Sequence, residues 1–303
     1  MAGKREVWLD YVKVFACVLV VLGHFWQSMV KSGILPDGFA YGWFEQSVYT
    51  FHVPLFFICS GYLYQRYSRV KDAESWFASV TKKLVVLGVP YLFFTVLTLV
   101  MKSAGGDAVN QAAGGAVGTI LFHPTASYWY LYVLFFMFVI VPTFADRRGL
   151  RNALLLALAL KVLQLLNAQL GFLDLPWVVY KLAENLVWFI GGMFLTEGER
   201  PIDRGLSLAV GAAFLVASAA VYAADVGNQF VLFALGAAAC VASVGLIRGS
   251  SPSGAIGRAL DLAARYTMPV YLMHTIFAAG LRIALLKMRI TGGVSPCCTG
   301  AHC

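Results

Sequence analysis

Three side chains able to do chemistry stand inside or at the edge of one apolar stretch near the N-terminus: Asp10, Lys13 and His24. At about 3.6 residues per turn, the eleven positions from Lys13 to His24 make almost a whole number of helical turns. The two side chains therefore share a face, about 16 Å apart along the axis. Asp10, Cys17 and Gln27 or Ser28 fall near the same stripe. An imidazole is the usual general base near neutral pH, and a lysine ammonium is a point-charge partner for phosphate. Ionisable groups in an apolar helix are expensive and mark function by default. The competing reading is a histidine hydrogen-bonded to a neighbouring helix and a lysine that snorkels to the membrane edge.

Further chemistry-bearing residues lie at intervals along the chain. The stretch Phe51-His52-Val53-Pro54-Leu55-Phe56-Phe57 places His52 at a depth comparable with His24 if successive helices alternate in direction. Ser60-Gly61, just beyond, reads as a close-packing point. Lys82 and Lys83 precede Val89-Pro90-Tyr91 and read equally as an anion dock and as anchors. Trp129 and Tyr130, within Tyr128–Tyr132, fit an interfacial aromatic belt or a sugar-stacking platform. Glu184 and Asn185 add a carboxylate and an amide at membrane depth, with Lys161 and Lys181 able to offset the charge. A third intramembrane histidine, His274, follows Tyr271 by about one helical turn.

The elements that carry these residues are membrane helices. The chain is 60% hydrophobic and 13% charged, with a mean hydropathy of +0.75; soluble domains are about 45–50% apolar and about 25% charged. The expected fold is all-α, a polytopic transmembrane bundle. Stretches near 8–30, 48–65, 84–101, 128–145, 152–170, 177–196, 205–224, 229–248 and 266–286 approach the roughly 20 apolar residues that a span needs. Fourteen basic residues fall at the N-terminus and on the loops of its side, against four on the opposite side. That asymmetry predicts a multi-pass protein of the plasma (inner) membrane with a cytoplasmic N-terminus. The first span reads as a retained anchor, because its apolar run continues past Cys17. One transmembrane domain, 1–290, is expected, followed by a short polar tail, 291–303, carrying Cys297, Cys298 and Cys303. Cys17, Cys59 and Cys240 read as small buried hydrophobes.

Several function classes drop out. The net charge of +8 is spread over short loops without the aromatic interleaving of a nucleic-acid surface, so no nucleic acid is expected. No phosphate loop, dinucleotide turn, nucleophile elbow or HExxH helix is present, and no metal is expected.

Taken together, the basic residue–ten residues–histidine pattern of Lys13 and His24, the FHVPLFFICSGYLY and KKLVVLGVPY stretches, Trp129-Tyr130-Leu131 and YTMPVYLMH with His274 resemble the membrane-bound acyltransferase-3 family. These are integral-membrane O-acyltransferases, and FHVPLFF is similar to their fucose O-acetylase-like branch. Arginine is more usual where Lys13 stands, and about ten helices are usual where nine are read. The resemblance implies an acetyl-CoA-dependent O-acetyltransferase acting on a hydroxyl of a surface glycan or glycolipid precursor. It implies acyl-CoA at the cytoplasmic mouth, bound by Lys13, Lys82, Lys83 and Tyr91. It implies His24 as general base, helped by His52, with Asp10 orienting Lys13. Trp129, Tyr130, Glu184, Asn185, Tyr271 and His274 would then contact substrate. The rival expectation is a proton-coupled transporter, which would favour repeated halves; none is evident.

Overall fold

The computed structural model describes residues 6–68, 70, 72–104, 115–124, 128–198, 202–250 and 252–288. Lys4, Arg5, Arg69, Lys71, Arg200 and Arg289, most of the 103–118 loop and the 291–303 tail lie outside the described residues. The described residues form helices and no strand. In chain order these are α1 (Val7–Lys31), α2 (Phe39–Tyr49), α3 (His52–Tyr67), α4 (Ala73–Lys83) and α5 (Val89–Ala104). There follow α6 (Ala116–Leu121), α7 (Trp129–Ile140), α8 (Arg147–Leu170), α9 (Trp177–Phe194), α10 (Arg204–Ala223), α11 (Gln229–Arg248) and α12 (Gly254–Lys287).

Each of the nine predicted spans corresponds to a helix, and seven stretches among the described residues are long and apolar enough to cross a membrane. One of the seven is Ala73–Ser103, in which α4 and α5 are joined by a π turn at Leu84–Gly88. The two exceptions are α3, with 16 residues, and α7, with 12. At about 1.5 Å per residue neither fills a hydrocarbon layer of about 30 Å. Both are sheathed by other helices: Leu55, Phe57, Cys59, Val133 and Met137 are fully buried. Protein, not lipid, therefore surrounds their middle turns. α7 stops at Ile140 because Val141 precedes Pro142 and turns extended.

Four features depart from the hydropathy reading: α4 and α6 lie outside the predicted stretches, and α2 and α12 add two more. α2 precedes His52 as a separate short helix, and α12 begins twelve residues before the predicted 266–286. Its added turns hold Arg258, Asp261 and Arg265, which a hydropathy window excludes but a helix readily continues through.

α1 is the hub. Its stripe Leu9, Val12, Ala16 and Val20 is buried at the i, i+3, i+4 spacing of a helix face, and it packs on α3, α11 and α12. α3 and α9 meet through bare backbone: a Cβ on Gly61 would strike the Phe189 carbonyl, and one on Gly192 the Ile58 carbonyl. Such close approach is how helices associate where apolar burial alone gives no drive. α8 is capped by the Asp146 carboxylate, which accepts from the Gly149 N–H at 3.2 Å. It ends at Gly171, whose φ of 64° suits a residue without a side chain. Short loops make α8–α9 and α10–α11 antiparallel pairs. The far end of α1, the starts of α3, α7, α9 and α11, and the far end of α8 thus gather at one end of the bundle.

Candidate active site

At that end lies a cavity of about 570 Å³, the size of a small-molecule site. The α1 face supplies Val20, His24, Gln27 and Lys31, one residue per turn. α2 adds Gln46 and Tyr49, and α3 adds His52 and Pro54. The opposite wall is Trp129 and Tyr130 of α7, Lys161 of α8, and Lys181, Glu184, Asn185 and Trp188 of α9. Gln229 and Phe233 of α11 and Tyr271 of α12 complete it.

The three intramembrane histidines meet here. The His24 and His274 rings are 5.0 Å apart between centroids. Tyr49 stands edge-on to both His24, at 6.1 Å, and His52, at 4.9 Å. His52 and His274 are 3% and 6% exposed, and each holds Nδ1 at 2.6 Å from a backbone carbonyl, of Val48 and Tyr271 respectively. A carbonyl oxygen can only accept, so in both rings Nδ1 carries the proton and Nε2 keeps its lone pair. The buried His274 Nε2 has no hydrogen-bond partner among the described residues. His274 also lines a separate apolar groove of about 450 Å³ between α1 and α12, with Phe25, Met273 and Phe277 among its walls. His24 is only partly buried, and among the described residues neither of its ring nitrogens is tied to another group. It is the ring with both nitrogens available to a molecule in the cavity.

The remaining walls are fixed by their own bonds. Tyr130 Oη lies 2.9 Å from Ser60 Oγ and donates to the Phe56 carbonyl at 3.3 Å. Lys181 pairs with Glu184 at 2.6 Å and sits over the Trp129 ring. The Asn185 amide donates to Glu184 Oε2 at 3.3 Å. Gln27 donates to Glu45 at 2.7 Å.

Of the residues singled out in the sequence, His24, His52, Trp129, Tyr130, Glu184, Asn185 and Tyr271 share this cavity, and His274 touches it through His24. Asp10, Lys13, Lys82, Lys83 and Tyr91 are not among its lining. Lys13 Nζ lies 3.4 Å from Asp10 Oδ1, with both side chains about a quarter exposed (27% and 23%). Lys83 Nζ lies over the Phe138 ring at 4.3 Å, on α4, which packs against α7. Tyr91 donates to the Ile120 carbonyl at 2.7 Å. Tyr49, Gln46, Trp188 and Gln229 are cavity residues that the spacing argument did not place there, whereas Gln27 lies on the stripe it defined. Lys161, read from the sequence only as a counter-charge to Glu184, carried a further signal. On α8 the polar residues Lys161, Gln164 and Asn167 recur every three positions and are buried, while Leu155, Leu156, Val162 and Leu163 are exposed. That inverted amphipathic pattern marks a membrane helix facing a polar interior.

A bundle of apolar helices closed around a polar chamber that holds histidine, tryptophan, amide and charged groups defines a multi-pass membrane protein with an interior site. Residues 6–290 match the family described as "Acyltransferase domain", acyltransferase-3, and the chain belongs to that family. It is similar to the Nodulation protein NolL of Sinorhizobium fredii, with 30% identity over 53% of this chain and 42% of that protein. It is also similar to the NolL protein of Mesorhizobium japonicum, with 28% identity over 46% and 36% of the two chains. The Inner membrane protein YcfT of Escherichia coli is 26% identical over 68% of this chain and 62% of its own. The chain thus spans between about a third and under two thirds of these relatives' lengths. No solved structure matches it.

Proposed function

We propose that the chain transfers an acyl group, acetyl foremost, from acyl-CoA to a hydroxyl of a glycan or glycolipid precursor, with His24 as general base. The observation that carries this reading is the untied His24 imidazole facing a cavity whose aromatic, amide and charged walls suit a hydroxyl-rich acceptor. Stacking rings with a few convergent polar groups are what orients a polar ligand in a concave site. His24 takes the proton from the acceptor hydroxyl, whose oxygen attacks the thioester carbonyl. The carbon–sulfur bond breaks, and the CoA sulfur leaves as a thiolate that is then protonated. His52, fixed by the Val48 carbonyl, and Tyr49 between the two rings position the base.

Acyl-CoA enters from the Lys13 end, where Lys13 meets its phosphates and Asp10 holds the lysine in place. About 16 Å of helix separates Lys13 from His24, a span comparable with an extended pantetheine arm. The proposed setting is the inner membrane with the N-terminus cytoplasmic, which the distribution of basic loop residues supports. The test is transfer from labelled acetyl-CoA by membranes containing the chain, together with mass spectrometry of the host's surface glycan for one added acetyl group. Wild-type turnover by His24→Ala, or solute flux that needs no acyl-CoA, would overturn the assignment.

A further inference from the structure

One buried charge has no part in the chemistry above. Lys161 stands in the apolar run of α8 between Leu160 and Val162, is 6% exposed, and lines the cavity. Its Nζ donates to Gln164 Oε1 at 3.0 Å and lies 5.3 Å from the centre of the Phe233 ring. Among the described residues no carboxylate is within ion-pair distance of it. An ammonium has three donors, so two remain without an acceptor among the described residues.

The electrostatic surroundings are one-sided. Glu184 is the carboxylate of the lining, and it is already held by Lys181 at 2.6 Å and by the Asn185 amide at 3.3 Å. Lys31 is a third ammonium on the wall, exposed and at the open end of α1. Three cations thus face one engaged carboxylate. A buried cation that feels Glu184 only at a distance, with no carboxylate in contact, is unfavourable unless something else pairs with it, and a lysine in mid-membrane marks a ligand path or a partner.

Resting on the reading of this cavity as the acceptor site, we propose that Lys161 is an anion-binding point and that the acceptor carries a negative group beside the hydroxyl to be acylated. That group is either the phosphate of a lipid carrier or the carboxylate of an acidic sugar. Lys161 binds it directly, with Lys31 adding attraction at the entrance and the Trp129 and Trp188 rings lining the rest of the site.

Trp129 and Trp188 make the site its own reporter. The full chain in detergent is titrated at constant ionic strength with inorganic pyrophosphate, with glucuronate and with glucose, following tryptophan fluorescence. Saturable quenching is expected with at least one anion and not with glucose over the same range. Pyrophosphate alone assigns the carrier phosphate, and glucuronate alone the acidic sugar. A buried charge-assisted hydrogen bond corresponds to an affinity loss of about ten-fold or more in Lys161→Met, with Lys161→Arg staying within about three-fold. Unchanged affinity in a folded Lys161→Met overturns the proposal. So does a wild-type chain that binds neither anion or binds glucose equally well, which settles the matter even where the variant does not fold. The titration uses no acyl donor. A chain that binds the anion but transfers nothing therefore counts against the acyl-transfer reading and leaves only the anion-binding role of Lys161 standing.

Discussion

At its Lys31 end α1 presents His24, Gln27 and Lys31 to a shared cavity, and residues from seven other helices reach the same space. At its other end the same helix carries Asp10 and Lys13, which satisfy each other across one turn. The polar residues that the sequence offered as their companions are engaged elsewhere: Lys83 with Phe138, Tyr91 with the Ile120 carbonyl. The difference teaches how much geometry each end needs. Chemistry at a carbonyl requires groups held within fractions of an ångström, and rings locked by backbone carbonyls supply that. On the proposed reading, holding a flexible, multiply charged phosphate tail needs chiefly charge, and a lysine about a quarter exposed is adequate.

The contrast is sharpest where the proposed base and the proposed donor dock are broken separately. His24→Ala removes the proton acceptor, and kcat for acetyl transfer should fall by about 10²–10⁴, with the donor KM little changed and the purified protein still folded. A folded His24→Ala with activity near wild type would erase the distinction between the two ends. Lys13→Ala should act the other way, raising the donor KM by about ten-fold, the worth of one charged hydrogen bond, while kcat at saturating donor stays within about two-fold. Equal losses in kcat for both variants would show that the Lys13 end is part of the reacting geometry and not a dock. Lys13→Arg, restoring the more usual residue of the family pattern, should keep the donor KM near wild type.

Much of the fold was legible because the signal is one-dimensional. Runs of apolar residues of the right length locate membrane helices whatever their partners: each of the nine stretches is a helix, and seven described stretches are long and apolar enough to cross. α2 and the first turns of α12 were not legible in this way, because a helix outside the apolar runs leaves no mark in hydropathy. The convergence of His24 and His52 was legible through depth, since alternating helices return to the same level. Rotation about each helix axis is a different matter. The stretch Trp129-Tyr130 could face lipid or cavity on aromatic content alone, and only packing against Phe57 and Lys181 turns both residues inward. The Lys82-Lys83 pair shows the converse. Adjacent lysines at a helix end look like a cationic patch, yet α4 docks on α7, and this draws Lys83 onto an aromatic face.

The smallest expected effect comes from that pair and tests the comparison from its weak side. Lys83 lies 4.3 Å from the centre of the Phe138 ring, a cation–π contact worth about 0.5–1 kcal/mol when partly exposed. Lys83→Met, which keeps the side chain's apolar stem over the ring and removes the charge, should lower thermal stability by no more than a few degrees. The donor KM should stay within about two-fold, because charge beyond contact distance is screened over about 10 Å at moderate salt. Lys82, exposed at the same turn, should show the same kinetic indifference without the stability change. A donor KM raised as much by Lys83→Met as by Lys13→Ala would mean that the acyl-donor phosphates reach across to α4. The donor end would then be a multi-helix site like the acceptor end, and the contrast between the two ends of α1 would disappear.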